Sequence, residues 1–327
     1  MAIIDKKGGI HGTAGSVVYR TYRGMNLVQG RPGKRKQTAT SIRSACEFGL
    51  GSSAARMIRT AFSPLYQGKN DGTMVNRLTS AVSKSIGASG KERGERDLHD
   101  GDVSFLNGFS FNAKSPLFQY LQIRPEVSLS PQGQLTIKLP SMKQNKELLN
   151  PFGSQACRFR LRFLLVAINF KEDFYEYVDL KTVTIDGSER LPGQELIFEG
   201  EWPKGCMLLL GALLEYQGYN LLDECYETLN SKNFCPCEII TAIPARDEAE
   251  EGYAKQRYEQ LPRETRHKQM KFYKNYEGPL MHWKVDKLGG KGRTGARPPF
   301  LGDFDTGARS SDEELDNLKG TRTSFPE

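Results

Sequence analysis

The stretch 157–169, CRFRLRFLLVAIN, constrains the fold more than any other part of the chain. Cys157, Phe159, Leu161 and Phe163 alternate with Arg158, Arg160 and Arg162, a period of two that puts one set on each face of a β-strand. After Leu164 both faces become apolar, so the strand passes beneath another element. The arginine stripe is expected to face solvent and to pair across the strand with the acids of 172–179, Glu172, Asp173, Glu176 and Asp179.

Strand patterns surround this run at 104–111, 116–122, 125–129, 134–139, 174–185, 195–200, 206–217 and 234–243. Turn signals sit at 131–133, 186–187 and 203–205. No helical crossovers separate these strands, which argues for an antiparallel β-sandwich of the immunoglobulin or fibronectin III type over 104–245.

Upstream the period changes to 3.6. Thr38 or Thr40 caps a helix bearing Ile42, Ala45, Cys46 and Phe48, and Gly49 and Gly51 are expected to break it. A second helix carries Ala54, Met57, Ile58, Ala61 and Phe62, and Pro64 marks its end. A third covers 71–87, with Asp71 as cap and Met74, Val75, Leu78, Ala81, Val82 and Ile86 on its apolar face. A packing hairpin explains the first two better than a DNA-binding helix-turn-helix does. The fold class is therefore α+β: a helical segment at 38–88, a linker at 89–103, the β-domain, a basic arm at 1–37 and a charged, extended arm at 246–327.

The basic arm holds the excess charge. Lys6, Lys7, Arg20, Arg23, Arg31, Lys34, Arg35 and Lys36 are opposed only by Asp5 in the first 36 residues, and the whole chain carries the same +7. Within the arm, 16–22 and 25–29 alternate as two strands around an Arg23-Gly24 turn. A two-stranded ribbon is marginal in water, so this one is expected to need a partner. Lysines and arginines neutralise phosphates, and Tyr19 and Tyr22 are candidates for stacking on bases. Arg43, Arg56 and Arg59 extend the candidate phosphate-contacting set. The glycines do not form a phosphate loop, because no Gly-Lys-Ser/Thr follows them.

Catalytic chemistry is poorly supported. The four histidines, His11, His99, His267 and His282, are scattered over arm, loop and tail. No nucleophile elbow, HExxH or Walker motif occurs. His99 with Asp97, Asp100 and Asp102 reads as a solvated loop. Cys235-Pro-Cys237 has the wrong spacing for a zinc knuckle, so neither a metal nor a cofactor is expected. No apolar run approaches the roughly 20 residues of a membrane span, and no signal peptide is read, so a cytoplasmic protein is expected.

Several phrases are similar to an uncharacterised protein family associated with Bacteroidetes genomes and their mobile elements. They are Gly12-Thr-Ala-Gly15-Ser-Val17, Arg31-Pro32-Gly33, Glu47-Phe48-Gly49, Ile58-Arg59, Asn76-Arg77-Leu78, Gly108-Phe109-Ser110-Phe111-Asn112, Leu209-Leu210-Gly211 and Glu215-Tyr216-Gln217. The similarity spans about 8–245. It implies a glycine-rich ribbon, a helical segment and a β-sandwich, and brings no catalytic motif. The expected function is non-enzymatic: sequence-independent nucleic-acid binding through the basic arm. The alternative is a structural subunit of a phage-like or other assembly, with arms laced into acidic surfaces of its neighbours or into further copies of itself.

Overall fold

The computed structural model describes residues 2–6, 8–22, 24–31, 33, 37–130, 133–144, 146–187, 190–199, 202–246 and 252–272. It divides into two compact units, 1–42 and 43–327.

The first unit is a four-stranded antiparallel meander of β1 (Ala2–Ile4), β2 (Ile10–Ala14), β3 (Val17–Tyr22) and β4 (Met25–Gly30), paired in that order. The expected ribbon is its second half, with Tyr22 opposite Met25 across the turn. Two further strands join on the side of β3, where His11 faces Ile3 and Gly12 faces Tyr19.

The helix α1 runs unbroken from Ala39 to Tyr66, with the Thr38 hydroxyl accepting from the Ser41 N–H at 3.2 Å. This corrects the two-helix reading. Gly51 is a packing residue: a Cβ there would stand 3.1 Å from the Ser83 hydroxyl on α2 (Met74–Gly87). A residue chosen for close helix contact looks, in sequence, like a helix breaker. The continuous helix also removes the helix-turn-helix reading.

The second unit then adds β5 (Phe109–Ser110), α3 (Leu117–Tyr120), β6 (Glu126–Leu129), β7 (Leu135–Leu139), β8 (Met142–Lys143), β9 (Arg158–Asn169), β10 (Phe174–Asp186), β11 (Arg190–Leu191) and β12 (Gln194–Phe198). After these come β13 (Met207–Asn220), β14 (Cys225–Thr228), β15 (Cys237–Ile243), α4 (Tyr253–Gln260), α5 (Arg266–Gln269) and β16 (Met270–Phe272). The expected strands at 104–111 and 116–122 are instead a 3₁₀ turn followed by two-residue β5, and the single helical turn α3.

The main sheet runs β16-β10-β9-β13-β15-β5, with β14 also paired to β13, and a three-stranded sheet runs β12-β7-β6. The antiparallel pairing follows the sequence pattern, and the α+β class holds. Leu164, Val166 and Ile168 of β9 share one core with Met57, Phe62, Leu78 and Val82 of the helices. Phe159, Leu161, Phe163 and Leu165 share a second core with Leu135, Ile137 and Phe198 of the small sheet. The element over the apolar half of β9 is thus the helical layer, and helices and sheet have a common core. At Gly211 on β13, any Cβ would fall 2.4 Å from the Phe62 ring, so glycine lets α1 lie down on the sheet,.

The stretch 89–103, read as a linker, is packed. Leu98 and Val103 are buried. A Cβ at Gly101 would meet the Ser85 carbonyl at 2.2 Å, closer than backbone can yield. His99 is no solvated group: its Nε2 accepts the Phe170 N–H at 3.0 Å. Burial pushes its pKa below 6.5, with Lys171 acting in the same sense and Asp97 and Asp100 opposing. The unfolded chain therefore binds the proton more readily. Stability is full above pH 6.5 and falls as pH drops from there toward the folded pKa. Thermal unfolding between pH 8 and 5 should show a loss that His99→Gln reduces; parallel curves would refute this role.

The arm at 246–327 is corrected in part. Residues 252–272 fold onto the main sheet: Met270 pairs with Glu176 and Phe272 with Phe174, extending the edge at β10. Ala254, Leu261 and Met270 are buried. Three apolar residues in a charge-dense segment give no periodic signal, so the docking was hidden. Residues 247–251 and 273–327 lie outside the described residues.

Candidate functional site

The arginine stripe takes different partners from those expected. Antiparallel register places Arg158 beside Asp186 on β10, with Nε donating to Oδ1 at 2.5 Å. Its guanidinium lies over the Tyr226 ring at 3.6 Å. Arg162 is 2.9 Å from Glu215 on β13. The acids of 172–179 sit at the opposite end of the same hairpin, beyond reach. Glu176 is taken by Arg257, and Asp179 by Lys181.

Near this stripe is a recess lined by Leu65, Gln67, Lys69, Glu215, Thr228 and Asn230, with room for about 10 Å³, one water molecule,. Glu215 at its wall is the carboxylate that Arg162 pairs with, and the buried Gln217 side-chain oxygen has no hydrogen-bond partner among the described residues. The recess is far below the size of a substrate pocket. Among the described residues, no group of three or more His, Cys, Asp or Glu is placed to hold a metal ion. Burial pushes the Cys235 thiol up to about 11 and Cys237 well above its usual value, so both are poor thiolates,. Cys46 and Cys157 are half-buried, and Cys225 is exposed.

The N-terminal meander is the stronger candidate. Its strands exchange full backbone ladders, yet none of its described residues is buried. Register assigns its faces. Ala2, Ile4, Ile10, Gly12, Ala14, Val17, Tyr19, Thr21, Asn26, Val28 and Gly30 share one side, on which no residue is charged. Ile4 and Val28 there are 69% and 62% exposed. Arg20 and Tyr22 share the other side with His11, Val18 and Leu27. Tyr19 and Tyr22 therefore point to opposite faces and make no joint stacking platform.

The described basic residues spread around this sheet. Lys6 lies in the β1–β2 turn, Arg20 within β3 and Arg31 just after β4, all exposed. Lys7, Arg23, Lys34, Arg35 and Lys36 lie outside the described residues. Asp5 is used locally: its carboxylate accepts the Gly9 N–H at 2.8 Å and lies 2.9 Å from His11 Nε2. On α1, Arg56 is exposed, Arg59 half-buried and Arg43 4.0 Å from Glu92. Arg43 and Arg56 point about 140° apart around the helix at about 100° per residue, so they do not form one stripe.

The site missed in sequence is the hairpin of β13 and β14. Its turn, 221–224, carries Leu221 and Leu222, 81% and 94% exposed. The only sequence signal was an Asn-Leu-Leu-Asp phrase directly after a strand. No family model, curated protein or solved structure matches this chain. None of the described helices is long and apolar enough to cross a membrane.

Proposed function

We propose that this chain is a non-enzymatic subunit of a multi-protein assembly and that its N-terminal sheet is the part that engages a neighbour. The observation carrying the reading is a four-stranded sheet with complete ladders and no buried side chain. A sheet of this size needs one packed face to be stable in water. Exposed Ile3, Ile4 and Val28 add apolar surface that a partner would cover,.

Sequence-independent nucleic-acid binding is the second reading, favoured by the +7 carried by the first 36 residues. The uncharged face and the opposed tyrosines weigh against phosphate as the main partner. Kinship with the mobile-element-associated family, an immunoglobulin- or fibronectin-like origin for the two apposed sheets and a cytoplasmic setting, where six free thiols are at home,, belong to the same proposal.

The test compares the full chain with a version starting at Thr38. Hydrogen exchange at amides 10–30 should slow as protein concentration rises, while binding to DNA and RNA depends weakly on salt. If the full chain binds nucleic acid with a log–log salt slope near about −5, the value for roughly six phosphates, and the shortened chain does not, the nucleic-acid reading wins.

A further inference from the structure

Resting on the assembly reading, we propose that the neighbour is a second copy of this chain, whose β13–β14 hairpin tip docks on the uncharged face of the N-terminal sheet.

The tip is a built feature. Asn220 Oδ1 accepts the N–H groups of Leu222 and Asp223 at 3.0 and 3.4 Å. Its amide donates to Asp223 at 2.8 Å and Glu227 at 3.0 Å. Tyr219 meets Tyr226 edge-on across the two strands at 5.1 Å. One side chain thus fixes the turn, and the turn holds two leucines out into water. Pre-organisation lowers the entropy lost on docking.

Charge selects the occupant. The tip is acidic, with Asp223, Glu224 and Glu227 in a nine-residue span. The N-terminal sheet offers the complement: an uncharged face bearing Ile4, Ile10 and Val28, with exposed Lys6 and Arg31 at its margins. Apolar centre meets apolar centre, and acidic rim meets basic rim. The two patches are different, so the contact is head-to-tail: it closes into a ring or continues as a filament.

Sedimentation velocity of the full chain over a concentration series tests this. The variants are Leu221→Asp/Leu222→Asp, Asp223→Lys/Glu224→Lys and Lys6→Glu/Arg31→Glu. The unaltered chain should self-associate. Each variant alone should do so at least about 30-fold more weakly, as for loss of a hot spot. Mixing the two charge-reversed variants should restore association. All six altered side chains are solvent-facing, so unchanged melting curves confirm folding. Hairpin variants that associate normally, beside a Lys6/Arg31 variant that does not, would overturn the hairpin's role and leave the assembly reading standing. Normal association of the Lys6/Arg31 variant would overturn the docking face. A full chain that stays monomeric would overturn the second copy as partner.

Discussion

Asp71→Ala is expected to destabilise the protein by about 3 kcal/mol, the lower end of the range for breaking a buried ion pair. The Asp71 carboxylate is buried at the start of α2 and accepts from Thr73 N–H at 2.7 Å, the Thr73 hydroxyl at 2.6 Å and Ala113 N–H at 2.8 Å. It is also paired with Arg77, whose other nitrogen donates to the Ser110 carbonyl at 2.8 Å. One side chain thus ties the start of α2 to the segment around β5. Alanine leaves these donors without their acceptor. Arg77 is about a third exposed and regains water, which is why the lower end applies. Asp71→Asn keeps an acceptor and should cost less. Burial alone would raise the Asp71 pKa, but the hydrogen bonds from Thr73, Ala113 and Arg77 outweigh it and hold the group well below 3.8. Its contribution is therefore present above pH 3.8 and lost as pH falls toward the folded value. Urea unfolding at pH 7 and pH 3 checks both statements; a loss under 1 kcal/mol at pH 7 would refute the first.

Legibility in the sequence followed the range of the interactions. The half-and-half character of β9 is local, so its alternation and its apolar end were legible, but the arginine stripe read as solvent-facing is largely covered, with Arg158 and Arg162 only 24% and 25% exposed. Its ion pairs were not legible, because Arg162 meets Glu215, 53 positions away, through a strand order that no local pattern specifies. The Asp71–Ala113 link and the bonds from Asn112 to the carbonyls of Lys69 and Lys232 are equally remote. At the candidate site, β3 and β4 announced themselves by alternation around Arg23-Gly24. β2, Ile-His-Gly-Thr-Ala, has weak strand propensity and reads as glycine-rich arm,. The hairpin tip was invisible for another reason. Two adjacent leucines in a sequence mean burial on average, and only the turn held by Asn220 places them outside.

Glu176→Ala should release the segment 252–272 from the main sheet. The carboxylate of Glu176 is 1% exposed and accepts two hydrogen bonds from Arg257, Nε to Oε2 and Nη2 to Oε1, both 3.1 Å, with Gln269 at 3.4 Å. Arg158–Asp186 also looks close, but Asp186 is half exposed, and such a pair contributes under about 1 kcal/mol,. Breaking a buried pair costs about 3–5 kcal/mol. The segment's other attachments include three edge-strand pairings, the Ala254 N–H on Glu172 at 3.2 Å, the Lys204 N–H on the Tyr253 hydroxyl at 3.1 Å and a few buried apolar side chains. That attachment is small enough for the penalty to be relieved by local detachment, before the central strands β9 and β13 open. Two readouts should therefore separate. Limited proteolysis should cut within 252–272 at least about 100-fold faster, the factor for roughly 2.8 kcal/mol. The melting temperature should fall by less than a global loss of 3–5 kcal/mol would produce. Unchanged proteolysis would show that the strand and apolar contacts hold the segment without the ion pair. Cooperative loss of the whole fold would show that the charge-dense tail is part of the main folding unit.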